Sequence, residues 1–513
     1  MATIDTPMPQ AWPRWVARRP DRRRFAVGAV AVLSSLAGVD VAVHAVAVPQ
    51  AAQRFEMNTP TATAAAGLGS LLTVALLLGA GLLGDRLRRR PILLAGGIGM
   101  GIGCLATTFA ADEWMFLVGR AVTGMAAAAV VVTALSVLPG LFFASELPAV
   151  VGMWLAVQSA AVLAGGVFGG LLVTETGWRT GYLLTAVLAM AAVGAGWLVV
   201  PATRPARARR FDLVGALLAG AAPAVLFVGI GRATEIGWRS SQVLGATALA
   251  GGLALLFAWW EYRRPNPAVP MRLMRSTPFA AACLAGVACE VAAAVYLLPI
   301  AALLATPAEP ARNALVLAVP MYLGMVLGAV LSGTAWQQRV SVRALFASGL
   351  VCCAGGALLG SAINLRDESW LYATAGTVVG FGVMWTRAPQ TAVIVAAVAP
   401  EQAGVGAAVH TAAVRIGSVL GPALLVPIVF VLGGGEAAFF RGFPVALRVT
   451  ALLLAGAAVV VAVLMYKHRA RTTAETVAYC RYRAGQRRDA GKRSATVRFV
   501  PAPGRYGDVT KPA

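Results

Sequence analysis

A few ionisable side chains stand inside stretches that are otherwise apolar. Asp40 and His44 lie four residues apart in one such stretch, a spacing that puts both on the same face of a helix. The carboxylate can stabilise the imidazolium form of the histidine, and the two groups can exchange a proton, although such a pair can also be purely structural. The chemistry that this spacing allows is reversible proton binding.

Two more groups could take part in the same chemistry. Arg120 lies at a depth similar to that of Asp40 in its own apolar run. If the two helices touch, the guanidinium would stabilise the ionised carboxylate when close and release it when distant, so proton affinity would depend on conformation. Glu290, near the middle of another run, can hold a proton because burial disfavours a lone charge. The remaining ionisable groups inside apolar runs are candidates for a cavity wall or for satisfied structural pairs, namely Arg387, His410 and Arg415.

The elements that must position these groups are membrane helices. The chain has 513 residues, of which 59% are hydrophobic and 12% charged. Apolar runs long enough to cross a bilayer core, about 20 residues each, recur along the chain without the alternation of barrel strands. We therefore predict an all-α integral membrane protein with about fourteen transmembrane helices. The predicted spans are residues 25–48, 61–84, 91–110, 114–138, 149–173, 180–200, 213–230, 242–260, 279–305, 314–335, 344–363, 370–396, 404–432 and 445–466.

The basic residues predict the orientation of these spans. Of the 43 lysines and arginines, 32 fall on one side if the N-terminus and every second connection are assigned to it, and 7 fall on the other. The positive-inside rule then places both termini in the cytoplasm. The formal charge of +22 does not indicate nucleic-acid binding, because the charge lies between and beyond the apolar runs. The basic tail, residues 467–513, is predicted to be disordered and either simply solvated or in contact with anionic lipid.

Three short motifs stand at defined places along the predicted spans. "GLLGDRLRRRPIL" (residues 81–93) fits a loop pattern that uses Gly81, Asp85, Arg86 and Arg89, called the gate motif below. "LVGRAVTGMAAA" (residues 117–128) fits a helix pattern that uses Arg120 and Gly124. "AVLAGGVFGG" (residues 161–170) fits a glycine pattern that uses Gly165, Gly166, Gly169 and Gly170.

In this order, these motifs resemble the major facilitator superfamily, and specifically its fourteen-helix drug:proton antiporter family. "DVAVHAVAVP" (residues 40–49) is similar to the helix 1 pattern of that family. Two departures are clear. Arg88 replaces a glycine of the loop pattern, and Gly166 replaces the proline of the antiporter pattern on helix 5. The corresponding loop of the second half, "GTAWQQRVSVR" (residues 333–343), lacks the aspartate.

The resemblance implies a domain organisation. It predicts an N-terminal six-helix bundle (25–200), a linker with two inserted helices (201–278) and a C-terminal six-helix bundle (279–466), flanked by a basic cytoplasmic segment (1–24) and the basic tail. Helices 1, 4, 9 and 12 are expected around a central cavity. The gate motif is expected to hold the halves together on the cytoplasmic side. There Asp85 can meet a helix N-terminus, while Arg86 and Arg89 can reach carboxylates or helix C-termini.

The function that follows is a proton-coupled exporter of drugs or metabolites in the cell membrane, working by alternating access. The proton gradient supplies the energy and no cofactor is expected, because the chain has no G-x-x-x-x-G-K-[ST] phosphate loop. The expected partners are protons, the lipid bilayer and a lipophilic or amphiphilic small molecule, and the chain is expected to act as a monomer. An importer or symporter and a non-transporting sensor or scaffold are the alternatives. An enzyme is not expected, because the chain has only 3 histidines and we find neither a catalytic set nor a metal site.

Overall fold

The structure, a computed structural model, describes residues 20–138, 146–200, 212–237, 240–264, 269, 276–304, 311–333, 340–362, 369–397, 403–431 and 442–466. These ranges contain fourteen helices and no strand, as predicted. Most of the predicted N-terminal segment and all of the predicted basic tail lie outside the described residues.

The helices are labelled in chain order. Their bounds are α1 Pro20–Arg54, α2 Thr59–Arg86, α3 Arg89–Thr108, α4 Glu113–Val137, α5 Leu147–Thr176, α6 Trp178–Val199, α7 Leu213–Ile236, α8 Ser241–Arg263, α9 Thr277–Leu304, α10 Ala311–Gly333, α11 Val342–Ser361, α12 Ser369–Ala397, α13 Ala403–Val431 and α14 Gly442–Tyr466. Within the described residues, ten helices are long and apolar enough to cross a membrane by length and composition. Each predicted span overlaps one helix, and α1 runs through Pro49 to Arg54, beyond its predicted end at residue 48.

Short polar side chains begin several helices. Asn58 accepts a hydrogen bond from the backbone N–H of Thr61 at 2.9 Å, and Asp112 accepts one from Met115 at 2.7 Å. Such caps satisfy backbone donors that the first helical turn leaves unpaired. Between α5 and α6 the single residue Gly177 takes a φ of 97°, a left-handed conformation that costs glycine little. This turn brings α5 and α6 together as neighbours.

The helices pack into two groups that meet along a few helix pairs. In the first group, α1 packs against α5 and α6, and α4 packs against α2 and α3; in the second, α12 packs against α10 and α11, and α9 packs against α13. The groups meet where α5 packs on α10 and α2 packs on α13. The helix pair α7 and α8 packs together, and α7 lies against α2. The end of the bundle that carries the connection between α2 and α3 is called the loop end below.

Small residues allow the closest crossings between the groups. Near the loop end, a Cβ on Gly81 of α2 would lie 2.6 Å from the carbonyl oxygen of Gly404 of α13. Gly152 of α5 and Gly333 of α10 likewise leave no room for a side chain at their crossing. Such small-residue contacts let helix backbones approach where lipid offers no hydrophobic driving force for association. The two groups are therefore tightly apposed at the loop end.

Candidate functional site

An acidic and a basic side chain meet between α1 and α4. Arg120 donates two hydrogen bonds to the carboxylate of Asp40, from Nη1 to Oδ1 at 2.8 Å and from Nη2 to Oδ2 at 2.7 Å. Only 4% of Asp40 and 2% of Arg120 is exposed. Cys104 of α3 adds a longer thiol contact to Oδ1 of Asp40, at 3.6 Å. The pair has the two-pronged geometry that makes arginine–carboxylate contacts strong and well oriented.

Close helix packing positions Arg120. A Cβ on Gly124, one turn further along α4, would overlap the backbone of Gly69 on α2. The hydroxyl of Thr73 on α2 lies 2.8 Å from the carbonyl oxygen of Gly69 and 2.9 Å from that of Gly124, so it bridges the two helices. The ring of Tyr182 on α6 lies 5.4 Å from Cζ of Arg120. Arg120 is thus held by α2 and α6 as well as by its carboxylate partner.

His44 is placed on the same side of α1 as Asp40, but its ring nitrogens bond elsewhere. Nδ1 lies 2.5 Å from the hydroxyl of Tyr182, and Nε2 lies 3.1 Å from the carbonyl oxygen of Ala65. A carbonyl oxygen only accepts, so Nε2 carries the hydrogen, and Nδ1 of the neutral ring accepts from the tyrosine hydroxyl. Both nitrogens are satisfied, and among the described contacts none is a hydrogen bond to Asp40. In this conformation His44 is suited to orienting α1 against α2 and α6.

A second acid–arginine pair lies in the other helix group. Glu290 of α9 and Arg387 of α12 form an ion pair, and each side chain is 16% exposed. Gln390, one turn after Arg387, lies with Nε2 3.3 Å from Nδ1 of His410 on α13. An amide N–H donates there to a neutral ring. The second pair is therefore more open than the first, and His410 has a neutral polar partner.

Two cavities adjoin these pairs. The larger has a volume of about 440 Å³ and lies between the two helix groups, lined from α1, α4, α5, α9, α10, α12 and α13. Glu290, Arg387 and Arg415 supply its charged lining among the described residues. The rest of its wall is mostly alanine, valine, leucine and methionine, with Trp154 and Gln158 on α5.

The smaller cavity contains the first pair. Its volume is about 240 Å³, and Asp40, His44 and Arg120 line it together with residues of α2. Three small or branched residues of α1 line both cavities, so this helix forms the partition between them: Ala37, Val41 and Ala45. Arg415 of α13 also lines both. Asp40 therefore lies one helix wall away from the larger cavity.

The acidic residue of the gate motif bridges the two helix groups. Asp85, at the end of α2, accepts backbone hydrogen bonds from Gly404 at 2.8 Å and from Val405 at 3.0 Å, in the first turn of α13. A carboxylate at this position satisfies unpaired N–H groups and meets the positive end of the helix dipole. The carboxylate thereby links α2 in one group to α13 in the other.

The basic residues of the gate motif differ in their contacts. Arg89 donates to Oδ1 of Asp85 at 3.0 Å and to the carbonyl oxygen of Ser136, in the last turn of α4, at 2.9 Å. It therefore acts at a helix C-terminus, where the dipole favours a cation. Arg86 is exposed at the end of α2, and the described residues give it no ion pair. Asp85 and Arg89 thus form a connected unit, and Arg86 stands apart from it.

The sequence as a whole decides the family. The model of the Major Facilitator Superfamily matches residues 30–422, which is more than half of the chain and contains both ion pairs and the gate motif. The chain belongs to the Major Facilitator Superfamily.

Characterised relatives of this facilitator are resistance proteins. It is 28% identical over 396 residues to the multidrug resistance protein Stp of Mycobacterium tuberculosis, covering 75% of this chain and 72% of the relative. It is 29% identical over 374 residues to the tetracenomycin C resistance and export protein of Streptomyces glaucescens, covering 70% and 67%. The crystal structure of the human organic anion transporter MFSD10 shares the fold, with a TM-score of 0.55 and 16% identity over 85% of this chain and 100% of that one. The protein is therefore a multi-pass membrane transporter of small molecules, not an enzyme, and it resembles drug efflux pumps.

The glycine pattern of this facilitator lies along the side of α5 that faces α1. Cβ atoms on Gly165 and Gly169 would run into valine side chains of α1, and one on Gly166 would lie 3.1 Å from Cβ of Ala42. Gly170 is buried as well. Helix α5 is continuous from Leu147 to Thr176, so the glycine in place of the family proline does not interrupt it. The pattern acts here as a close-packing surface beside the partition between the two cavities.

Three residues of this facilitator's N-terminal site were not identified from the sequence. Tyr182, Thr73 and Cys104 all contact the Asp40–Arg120 pair or its immediate supports. A tyrosine near the start of a span is the one recognisable signal, because its hydroxyl needs a partner when buried. Threonine and cysteine in membrane helices commonly bond their own backbone or serve as small packing residues, so their types gave no such signal.

Proposed function

We propose that this facilitator is a proton-coupled exporter of small amphiphilic molecules in the cell membrane, with both termini in the cytoplasm. The observation that carries the proposal is the Asp40–Arg120 pair, placed one helix wall from a cavity between the two helix groups. A buried ionisable pair in a membrane bundle is costly and is found where protons or substrates pass. The proton gradient supplies the energy, and no cofactor is needed.

In the proposed proton step, a proton and the guanidinium of Arg120 compete for the carboxylate of Asp40. In the described conformation both carboxylate oxygens accept from Arg120, which favours the ionised form. A proton arriving on Asp40 removes the charge that Arg120 binds, while Arg120 stays anchored by the crossing of Gly69 and Gly124. Helix α1 is then free to move against α4. Because α1 also lines the larger cavity, that movement changes the shape of the substrate site.

The conformational step rests on the loop end. The positive-inside rule assigns the loop end to the cytoplasm, since the four arginines of the gate motif region lie there. The bonds from Asp85 to α13 and the tight crossings at Gly81 and Gly152 close that end of the cavity. On this proposal the described conformation is the outward-facing one. Substrate is taken up from the cytoplasmic side after these contacts open.

The direction of transport is supported by the relatives. Two of them are named for multidrug resistance and for tetracenomycin C resistance and export. At 28% and 29% identity these names support export without fixing the compound. An importer would use the same fold and the same pair with the opposite net flow.

Inverted membrane vesicles test the direction. In such vesicles export from the cell becomes uptake, and the interior is acid when the gradient is set. We expect gradient-driven uptake of a fluorescent amphiphile, with ethidium and 8-anilino-1-naphthalenesulfonate as the cationic and anionic probes, and loss of uptake when a protonophore collapses the gradient. Vesicles without the protein give the background. Gradient-driven loss of probe from preloaded vesicles would establish an importer and overturn the proposal.

Asp40→Asn tests the proton site in the same vesicles. The amide keeps the shape of the side chain and removes the ionisable group, so gradient-driven uptake should fall at least about 100-fold, the range lost with an essential proton-transfer group. Asp112→Asn is the matched control, because Asp112 is an exposed helix cap and asparagine caps equally well. Full uptake by a normally inserted Asp40→Asn variant would remove Asp40 from the mechanism.

A further inference from the structure

Arg415, which lines both cavities, has no counter-ion among the described residues. Arg415 lies on α13, twelve residues after Ala403, which places it about 18 Å along the helix from its start at the loop end. It lines both the larger cavity and the cavity that holds Asp40. In the part of the chain that the structure describes, its guanidinium makes no hydrogen bond or ion pair. Its side chain is partly buried.

The two acids in the described lining of these cavities are each paired with another arginine. Asp40 gives both carboxylate oxygens to Arg120, and Glu290 is paired with Arg387. Arg387 lines the larger cavity together with Arg415 and carries the same charge, so it cannot serve as its partner. Over the described lining of the two cavities, two carboxylates face three guanidiniums. The larger cavity therefore carries one positive charge that the protein leaves uncompensated.

Physical chemistry says what such a charge requires. A guanidinium inside a membrane bundle is costly unless something pairs with it. Arginine matches planar or tetrahedral anionic groups, such as a carboxylate or a sulfonate, through two parallel hydrogen bonds. A cationic ligand in the same cavity would meet Arg387 and Arg415 against the single carboxylate of Glu290. The charge pattern favours an anion.

The rest of the wall of the larger cavity indicates that the remainder of the ligand is apolar. The larger cavity presents apolar side chains from several helices, among them Leu163, Leu297, Met325 and Met384. Its volume of about 440 Å³ falls in the range of pockets that hold drug-sized molecules. An inorganic anion would satisfy Arg415 but leave this apolar surface uncovered. A molecule with one acidic group on an apolar body satisfies both.

We infer that the larger cavity of this facilitator binds a small acidic amphiphile, whose anionic group pairs with Arg415 while its apolar body packs against α5, α9, α10 and α12. The inference rests on the proposed function only in taking this cavity as the substrate site. It is independent of the direction of transport and of proton coupling.

A pair of matched probes tests the inference by equilibrium binding. 8-Anilino-1-naphthalenesulfonate and N-phenyl-1-naphthylamine share one aromatic scaffold, and only the first carries a sulfonate. Binding is measured with the full-length protein in nanodiscs of phosphatidylcholine, with empty discs as background. We expect the sulfonate to bind at least about tenfold more tightly than the neutral probe, which corresponds to about 1.4 kcal/mol. Equal affinities, or tighter binding of ethidium than of the sulfonate, would overturn the inference.

Variants at Arg415 locate the site. Arg415→Gln should abolish the preference for the sulfonate, and Arg415→Lys should keep part of it because lysine retains charge without the two-pronged geometry. Arg232→Gln is the matched control, because Arg232 is exposed and donates a hydrogen bond to Gln242, away from both cavities' described lining. An undiminished preference in Arg415→Gln would place the anion elsewhere and overturn the assignment. Thermal unfolding supplies a second measurement, since loss of an unpaired buried charge should not lower the unfolding temperature, whereas loss of a structural arginine would.

Two further measurements distinguish a lipid headgroup from a small-molecule ligand, and failure of this inference from failure of the proposed function. If anionic phosphatidylglycerol in the discs abolishes sulfonate binding by competing for Arg415, the ligand is a lipid headgroup, and the small-molecule inference is wrong. Binding needs no gradient, so a protein that fails to export in vesicles but prefers the sulfonate through Arg415 would refute the proposed function alone. A protein that exports ethidium with no sulfonate preference would refute this inference alone.

Discussion

The two acid–arginine pairs of this facilitator have the same composition and different surroundings. Asp40 and Arg120 join the first and fourth helices of one group, and Glu290 and Arg387 join α9 and α12 of the other. The first pair lies in a small cavity behind α1 and is almost fully buried, whereas the second lines the larger cavity directly. One acid–arginine pair therefore lies behind the wall of the larger cavity, and the other forms part of that wall.

This difference in exposure to the larger cavity suggests different functions for the two pairs. A pair that is shielded from the larger cavity can change its protonation when helices move, without direct competition from the ligand. A pair on the cavity wall is exposed to every ligand that enters, so it contributes to the choice of ligand. We accordingly propose coupling for the pair of Asp40 and selectivity for the pair of Glu290. The surrounding polar contacts fit this division, because Tyr182 and Cys104 add further contacts around the first pair.

The largest expected effect is on stability, and it compares the two arginines. Arg120→Gln leaves the carboxylate of Asp40 buried and unpaired, so the free energy of unfolding should fall by about 3–5 kcal/mol. Arg387→Gln leaves Glu290 next to a cavity that can admit water, so the loss should be smaller, about 1–3 kcal/mol. Thermal unfolding of the wild type and the two variants, all in one detergent, measures both losses of stability. Equal losses would show that the second pair is as shielded as the first.

The double variants are the control for this comparison. Adding Asp40→Asn to Arg120→Gln removes the stranded charge and should recover much of the lost stability. Adding Glu290→Gln to Arg387→Gln should recover less, because less was lost. Failure of the first double variant to recover would mean that Arg120 stabilises α4 through its packing on α2 and α6 and not through its ion pair.

The next effect separates selectivity from coupling. Glu290→Gln removes the one negative charge in the described lining of the larger cavity. Binding of the anionic probe should become about tenfold tighter, by about 1.4 kcal/mol, because a like charge no longer repels it. Binding of ethidium should weaken, and transport should stay dependent on the proton gradient. Equilibrium binding and vesicle uptake measure the two properties. Loss of gradient dependence would make Glu290 a second proton site and erase the proposed division.

Asp85, which links α2 to α13 across the two helix groups, gives a third test. Asp85→Asn weakens the charge-assisted bonds to the first turn of α13 and the contact with Arg89, so turnover should fall about tenfold while probe affinity changes less than about twofold. Arg86→Gln is the matched control, because Arg86 lies in the same motif but is exposed. Stopped-flow uptake measures the turnover, and equilibrium binding measures the probe affinity. Unchanged turnover would reduce the gate motif to a signal for membrane orientation.

The fold was predictable from the sequence because bilayer thickness and hydropathy constrain it strongly. Runs of about 20 apolar residues can only be helices in lipid, and the family motifs order them. The contact of Asp40 with Arg120 was anticipated because both lie at similar depths in their spans. The motif also anticipated the place of Asp85 at a helix N-terminus, where a carboxylate has an evident partner.

The pairing of Glu290 with Arg387 and the exposure of Arg415 were not predictable in the same way. Two helices, α10 and α11, lie between Glu290 and Arg387 in the chain, and nothing in either run indicates which neighbouring side chain it contacts. Arg415 is one of several arginines in apolar runs, and only the packing of α13 against α2, α4 and α9 places it at two cavities. Direct proton exchange between His44 and Asp40 stays a prediction, since a spacing of four residues fixes the face of a helix and not the hydrogen bonds made there.

The smallest expected effect tests whether the surroundings of the first pair matter. Tyr182→Phe keeps the ring beside Arg120 and removes the hydroxyl that bonds Nδ1 of His44, so the free energy of unfolding should fall by about 1 kcal/mol, the contribution of one buried hydrogen bond. Tyr296→Phe is the matched control in the other helix group, because its hydroxyl also makes a buried bond, at 2.5 Å to the carbonyl oxygen of Tyr372, and it belongs to neither ion pair. Both variants should lose similar stability, but only Tyr182→Phe should alter the pH dependence of uptake, since only its hydroxyl contacts a titratable ring beside Asp40. An identical pH profile for the two variants would show that the Asp40–Arg120 pair works without His44, and the proposed coupling unit would then contract to two residues.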